Sequence, residues 1–106
     1  MTIYDSIEFD PKDPAEDLYV GFDFGPSTDT ITFAVFEITR LSGSGDSNPS
    51  AMKSGGPVVQ GTRKVLHLLT AGVDFTDYQV RCTATRGSEK LVGVGLLRVR
   101  SKKARL

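Results

Sequence analysis

The chain has one cysteine, one histidine and no tryptophan in 106 residues, and each shortage closes a class of explanation. With Cys82 alone no disulfide can form within the chain, so a small scaffold stapled by cystines is excluded. With His67 alone, and no cysteine at metal-ligand spacing from it, no zinc site is expected, and neither a metal nor another cofactor is assigned. No apolar run reaches the roughly 18 residues that span a bilayer. Met1-Thr2-Ile3-Tyr4-Asp5 lacks a basic start and an apolar stretch, so Sec-type export is not expected and cytoplasmic synthesis fits. The 13 Lys and Arg balance 13 Asp and Glu, so no global field favours nucleic acid or an anionic membrane. Paired carboxylates with separated roles, a Ser-His-Asp set and a Gly-Lys-Ser/Thr phosphate loop are all missing, and an enzyme is not expected.

What is present reads as strands. In Tyr78 to Thr85, Tyr78, Val80, Cys82 and Ala84 alternate with Gln79, Arg81, Thr83 and Thr85, the period of two of a half-buried strand. A tyrosine opening such a strand, after a connection containing Gly72, is placed to form a tyrosine corner, its ring inside and its hydroxyl on backbone behind it. An ordinary strand with an edge tyrosine is the alternative. Cys82 on the inward face reads as a small core residue.

Residues 18–24 alternate Leu18, Val20, Phe22 and Phe24 with Tyr19, Gly21 and Asp23. Residues 30–39 are dense in β-branched and aromatic side chains. There Ile31, Phe33 and Val35 share one face and Phe36 and Ile38 the other, which predicts a bulge or a strand covered on both sides. Residues 63–70 predict a strand with Leu66 and Leu68 toward the core. Arg86-Gly87-Ser88-Glu89 predicts a hairpin turn, and residues 90–100 the last strand. In that strand Leu91, Gly93, Gly95, Leu97 and Val99 point inward, the glycines making room for Phe22 or Phe36. Val92, Val94 and Leu96 form an apolar outer row, either covered by the N-terminal arm or open to another chain.

The whole, 1–106, reads as one domain: residues 1–12 an edge strand or arm, 42–57 a flexible Gly/Ser-rich loop, and 101–106 a basic tail. Met52 is the loop's lone apolar anchor, a candidate contact with a neighbour. Charge is uneven. The acids through residue 30, Asp13, Glu16 and Asp17 among them, face only Lys12; the bases from residue 81, Arg98 and Arg100 among them, face only Glu89. Either the two poles cancel within one molecule or they attract neighbouring subunits. The candidate interface is therefore Val92, Val94, Leu96, Arg98, Arg100, Asp13, Glu16, Asp17 and Met52, with Tyr78 structural.

About seven short strands with regular turn signals and a Tyr-led penultimate strand predict an all-β, immunoglobulin-like antiparallel sandwich. The cysteine pair and core tryptophan of antibody domains are both absent. More narrowly, the chain resembles small Ig-like virion proteins of tailed bacteriophages, the fibre–tail adaptor or tail-associated family. The resemblance rests on Asp13-Pro14-Ala15-Glu16-Asp17-Leu18-Tyr19-Val20-Gly21-Phe22-Asp23-Phe24 running into Asp29-Thr30-Ile31. It rests also on Leu69-Thr70-Ala71-Gly72-Val73 through Tyr78-Gln79-Val80 and the closing hairpin. The loop at 42–57 departs from the family pattern in its length. The resemblance implies no catalytic residues and a structural role in the virion, as a homo-oligomer binding other tail, fibre or connector proteins. A capsid decoration, or a carbohydrate-binding Ig-like module, is the alternative. No membrane partner is expected, and nucleic acid would find only the basic tail.

Overall fold

The computed structural model describes residues 2–43 and 46–101, with side chains from Glu8 onward. Residues 44–45, in the loop expected to be flexible, and 102–106, in the basic tail, lie outside the described residues. Seven strands run in order: β1 (Thr2–Glu8), β2 (Leu18–Asp23), β3 (Ile31–Ser42), β4 (Lys53–Gln60), β5 (Lys64–Leu69), β6 (Thr76–Arg86) and β7 (Glu89–Val99). β3, β6 and β7 form one antiparallel sheet and β2, β5 and β4 a second. β1 extends the first sheet by running parallel along β7. This is the expected immunoglobulin-like sandwich.

The two inner faces make one core. Across the first sheet, Phe36, Cys82 and Gly93 stand in register, and above them lies Phe22 of β2. A Cβ on Gly93 would come within 2.6 Å of the Phe22 ring, so the glycine admits the aromatic, as its inward position predicts. Phe22 also meets Phe9 edge-on at 5.6 Å and Phe36 at 6.2 Å between ring centroids. Burial pushes the Cys82 thiol up to about 12, so it is a protonated core side chain at neutral pH. Arg86 and Glu89 pair across the β6–β7 hairpin, leaving Gly87 and Ser88 as its two-residue loop. Gly87 takes φ +61° at the first loop position, the requirement of a type II′ turn.

Four expectations are corrected. First, β5 is turned over: Val65, His67 and Leu69 are buried, while Leu66 and Leu68 face outward. The inward set is the one opposite Phe22, Val20 and Leu18. The imidazole supplies core bulk, packing edge-on at 5.2 Å from Phe36 while its Nδ1 lies 3.0 Å from the Leu68 carbonyl oxygen. Second, the register of β3 slips between Ile31 and Phe33, so the expected bulge comes immediately after Ile31. Ala34, Phe36 and Ile38 point inward, and Phe33 and Val35 outward.

Third, residues 53–57 are not loop. β4 pairs with β5 from Lys53, skips at Gly55-Gly56-Pro57 and resumes at Val58. An outermost strand tolerates this bulge, since the proline there removes no ladder donor. Fourth, Met52 is 2% exposed, closing a single 3₁₀ turn (Pro49–Met52) onto its own core. It holds the 46–52 segment down and is not a surface contact. Lys53 then donates from Nζ to the Phe36 carbonyl oxygen at 2.8 Å, occupying an acceptor of β3, the other outermost strand.

Candidate protein-docking surfaces

Tyr78 does form the corner. Its ring is fully buried and its hydroxyl receives the Val73 N–H at 3.1 Å, back in the β5–β6 connection. The same hydroxyl donates to Asp46 Oδ2 at 2.6 Å, tying the 46–52 segment to the corner. Burial, then the bond to Asp46, raises the phenol's pKa above its ordinary value. A group held protonated by the fold contributes stability fully below the unfolded pKa near 10, and that contribution is lost as pH rises beyond it. Tyr78→Phe is expected to cost about 2 kcal/mol near neutrality, the worth of one neutral and one charge-assisted hydrogen bond. The gap between variant and wild type should narrow above pH 10. Urea midpoints across pH measure this, and a gap independent of pH would refute it.

The two ionic poles meet within the chain at one ion pair, Glu8 with Arg98. β1 and the segment after it follow β7, with Phe9 N–H on Leu96 O and Lys12 N–H on Arg98 O, both at 2.9 Å. Arg98 thereby reaches Glu8 at 3.4 Å. Arg100 pairs with Asp77 at 2.8 Å and also donates to two backbone carbonyls. Burial opposes ionisation of Asp77, but hydrogen bonds from Arg100 and Ser42 outweigh it and leave its pKa below the ordinary value.

Asp13 and Glu16 shape a local turn: Asp13 N–H donates to Glu16 Oε1 at 2.7 Å, and Ala15 N–H to Asp13 Oδ1 at 2.8 Å. With Asp17 they surround Lys12, whose fully buried ammonium donates to the carbonyls of Asp13 and Ala71. Burial lowers the Lys12 pKa, and the three carboxylates oppose that shift. Of the charged residues expected to attract a neighbour, Asp13, Glu16, Arg98 and Arg100 thus have partners within the chain. Of the apolar row, Val92 is 1% exposed and removed as a contact, while Val94 and Leu96 are half-buried.

The register assembles two surfaces that the row alone did not reveal. On the outer face of the larger sheet, Val35 stands beside Thr83 and Val92, Glu37 beside Arg81 and Val94, and Thr39 beside Gln79 and Leu96. Phe33, 62% exposed, lies at the end of this band next to Thr85. On the outer face of the smaller sheet, Tyr19 stands beside Leu68, and Gly21 beside Leu66 and Val58. Leu66 fills the space over Gly21, since a Cβ there would meet its Cδ2. Tyr19 is 55% exposed. Asp23, bonded to Arg63 at 3.0 Å, closes this patch at one end, and that bond, with the Gly25 N–H, lowers its pKa.

A sandwich of this size thus carries apolar side chains on both outer faces, back to back. Among the described residues no group of His, Cys, Asp and Glu could hold a metal ion, and no helix is long and apolar enough to cross a membrane. Comparison with protein-family models, with curated proteins and with solved structures finds no match to this chain.

Proposed function

We propose that the chain is a structural virion protein of a tailed bacteriophage, an adaptor that links tail and fibre, or other connector components, by protein–protein contact. The observation that carries this reading is the pair of apolar outer faces, one centred on Phe33 and Val35, the other on Tyr19, Leu66 and Leu68. An adaptor needs two docking surfaces that can be filled at once, and opposite faces of a sandwich provide them without steric conflict. The two sequence blocks that resemble tail-associated proteins support the same role. A capsid decoration needs one face only. A glycan module would gather aromatics on one platform, whereas Tyr19, Phe33 and Phe75 occupy three separate surfaces.

Phe33→Ser and Tyr19→Ser test the reading with little risk to folding, since both side chains are mostly exposed. Binding is measured to purified tail and fibre proteins of the encoding phage. Each variant should weaken binding to one component by tenfold or more and leave the other unchanged, as loss of an aromatic anchor does. Loss of the same partner by both variants, or of neither, would overturn the proposal.

A further inference from the structure

A third surface lies at the end of the sandwich formed by the β5–β6 connection and the 46–52 segment. Phe75 there has φ +59° and is 73% exposed. A bulky side chain in the left-handed region is a genuine outlier, and the largely exposed ring adds a second unfavourable term. The strain is held in place: Phe75 N–H donates to Val99 O and Asp74 Oδ1, both at 2.9 Å, and Ser101 N–H donates to the same Asp74 oxygen at 2.8 Å. The backbone is thus fixed with the ring directed outward as a knob.

Beside it is an open depression of about 230 Å³, walled by Ala51, Met52, Ala71 and Val73, with Asp46 and Asn48 at its polar side. Its volume exceeds the roughly 150 Å³ of an apolar cavity that holds benzene, so a phenyl ring has room to lie against these walls. Groups around it are already hydrogen-bonded within the chain, Asp46 to Tyr78 and the Ala71 carbonyl to Lys12, so an apolar occupant leaves neither without its partner.

We propose that a second copy of this chain docks at this end, across a two-fold axis, with Phe75 of each copy entering the cavity of the other. A partner offering only an apolar side chain would fill the hole and leave Phe75 bare; one offering only a pocket would do the reverse. This chain presents both features, two residues apart at Val73 and Phe75, and a two-fold axis satisfies both at once. The contact is independent of the adaptor reading, because it uses neither sheet face.

Sedimentation velocity across a dilution series tests it with three samples. Wild type should pass from monomer to dimer. Phe75→Asn, which removes the knob and suits a left-handed backbone, should stay monomeric. At concentrations where wild type is monomeric, this variant should melt about 4 °C higher through relief of strain. Ala51→Leu, at an exposed position on the cavity wall, should also stay monomeric. A mixture of the two variants should associate more than either alone, since one knob and one hole are restored. A wild type that remains monomeric throughout, a Phe75→Asn variant that still dimerises, or a mixture no stronger than its components would overturn the proposal.

Discussion

Gly93→Val is expected to destabilise the fold by about 3 kcal/mol, a large share of the roughly 5–15 kcal/mol available to a domain of this size. Glycine in a strand interior is itself unfavourable by about 0.5–1 kcal/mol, so a residue with a side chain would stabilise β7 if space allowed. Space decides the sign. The added Cβ would lie 2.6 Å from Cγ and Cδ1 of Phe22, the inner end of the ring. Phe22 is buried, and Phe9, Phe24 and Phe36 surround it at 5.6, 6.3 and 6.2 Å between centroids, so it cannot swing aside alone. Gly93→Ala should cost less, about 1–2 kcal/mol. Combined with Phe22→Leu, it should cost at least 1 kcal/mol less than the two changes separately, because the shorter side chain vacates the contact. Denaturant midpoints decide, and a wild-type midpoint for Gly93→Val would mean that the ring does not lie on the glycine.

Arg86→Ala is expected to cost a similar amount, about 3 kcal/mol, at the end of the core beside the β6–β7 hairpin. Arg86 ends β6 and is buried, and its Nη1 donates to the carbonyls of Gly25 and Thr62, both at 2.9 Å. Those carbonyls belong to the β2–β3 and β4–β5 turns, so one guanidinium ties two turns to the larger sheet. Hydrogen bonds to a charged group contribute about 1.5–3 kcal/mol each. Part of that is offset because the buried Nε has no hydrogen-bond partner; Glu89 stands 4.0 Å from it. Arg86→Met keeps the aliphatic packing and should cost nearer 2 kcal/mol. Glu89→Gln should change little, as the pair is long and half-exposed on the acidic side. A loss below 1 kcal/mol for Arg86→Ala would show that the turns hold without it.

Alternation made the outline legible. Residues 18–24, 78–85 and 97–100 keep a strict period of two, and the structure places their inward sets as that period requires. The corner at Tyr78 was legible because a turn glycine and a strand-opening tyrosine make a specific geometric demand. Residues 65–69 defeated the same method. Val65-Leu66-His67-Leu68-Leu69 offers apolar side chains to both faces, and counting His67 as polar chose the wrong one. Which face is inner depends on β2, a partner some 45 positions earlier in the chain, and no local pattern encodes that.

The docking surfaces were only half legible for the same reason. Val94 and Leu96 stood out as an apolar row, but their continuation to Val35 and Phe33 passes through β6, and register alone reveals it. The charge poles were visible in composition. Their pairing through Glu8 and Arg98 required knowing that β1 runs along β7.

That pairing of the first strand with the last also governs how the molecule is made. Thr2 aligns with Leu91 and Glu8 with Leu96, so the first and last strands are fastened to each other. During synthesis the N-terminal segment emerges long before its partner exists, and it must wait, unpaired, for β7 to be translated. Topology of this kind, in which distant segments must meet, folds slowly compared with locally connected architectures. A ribosome-bound chain therefore completes its larger sheet only once β7, the last of the seven strands, has emerged.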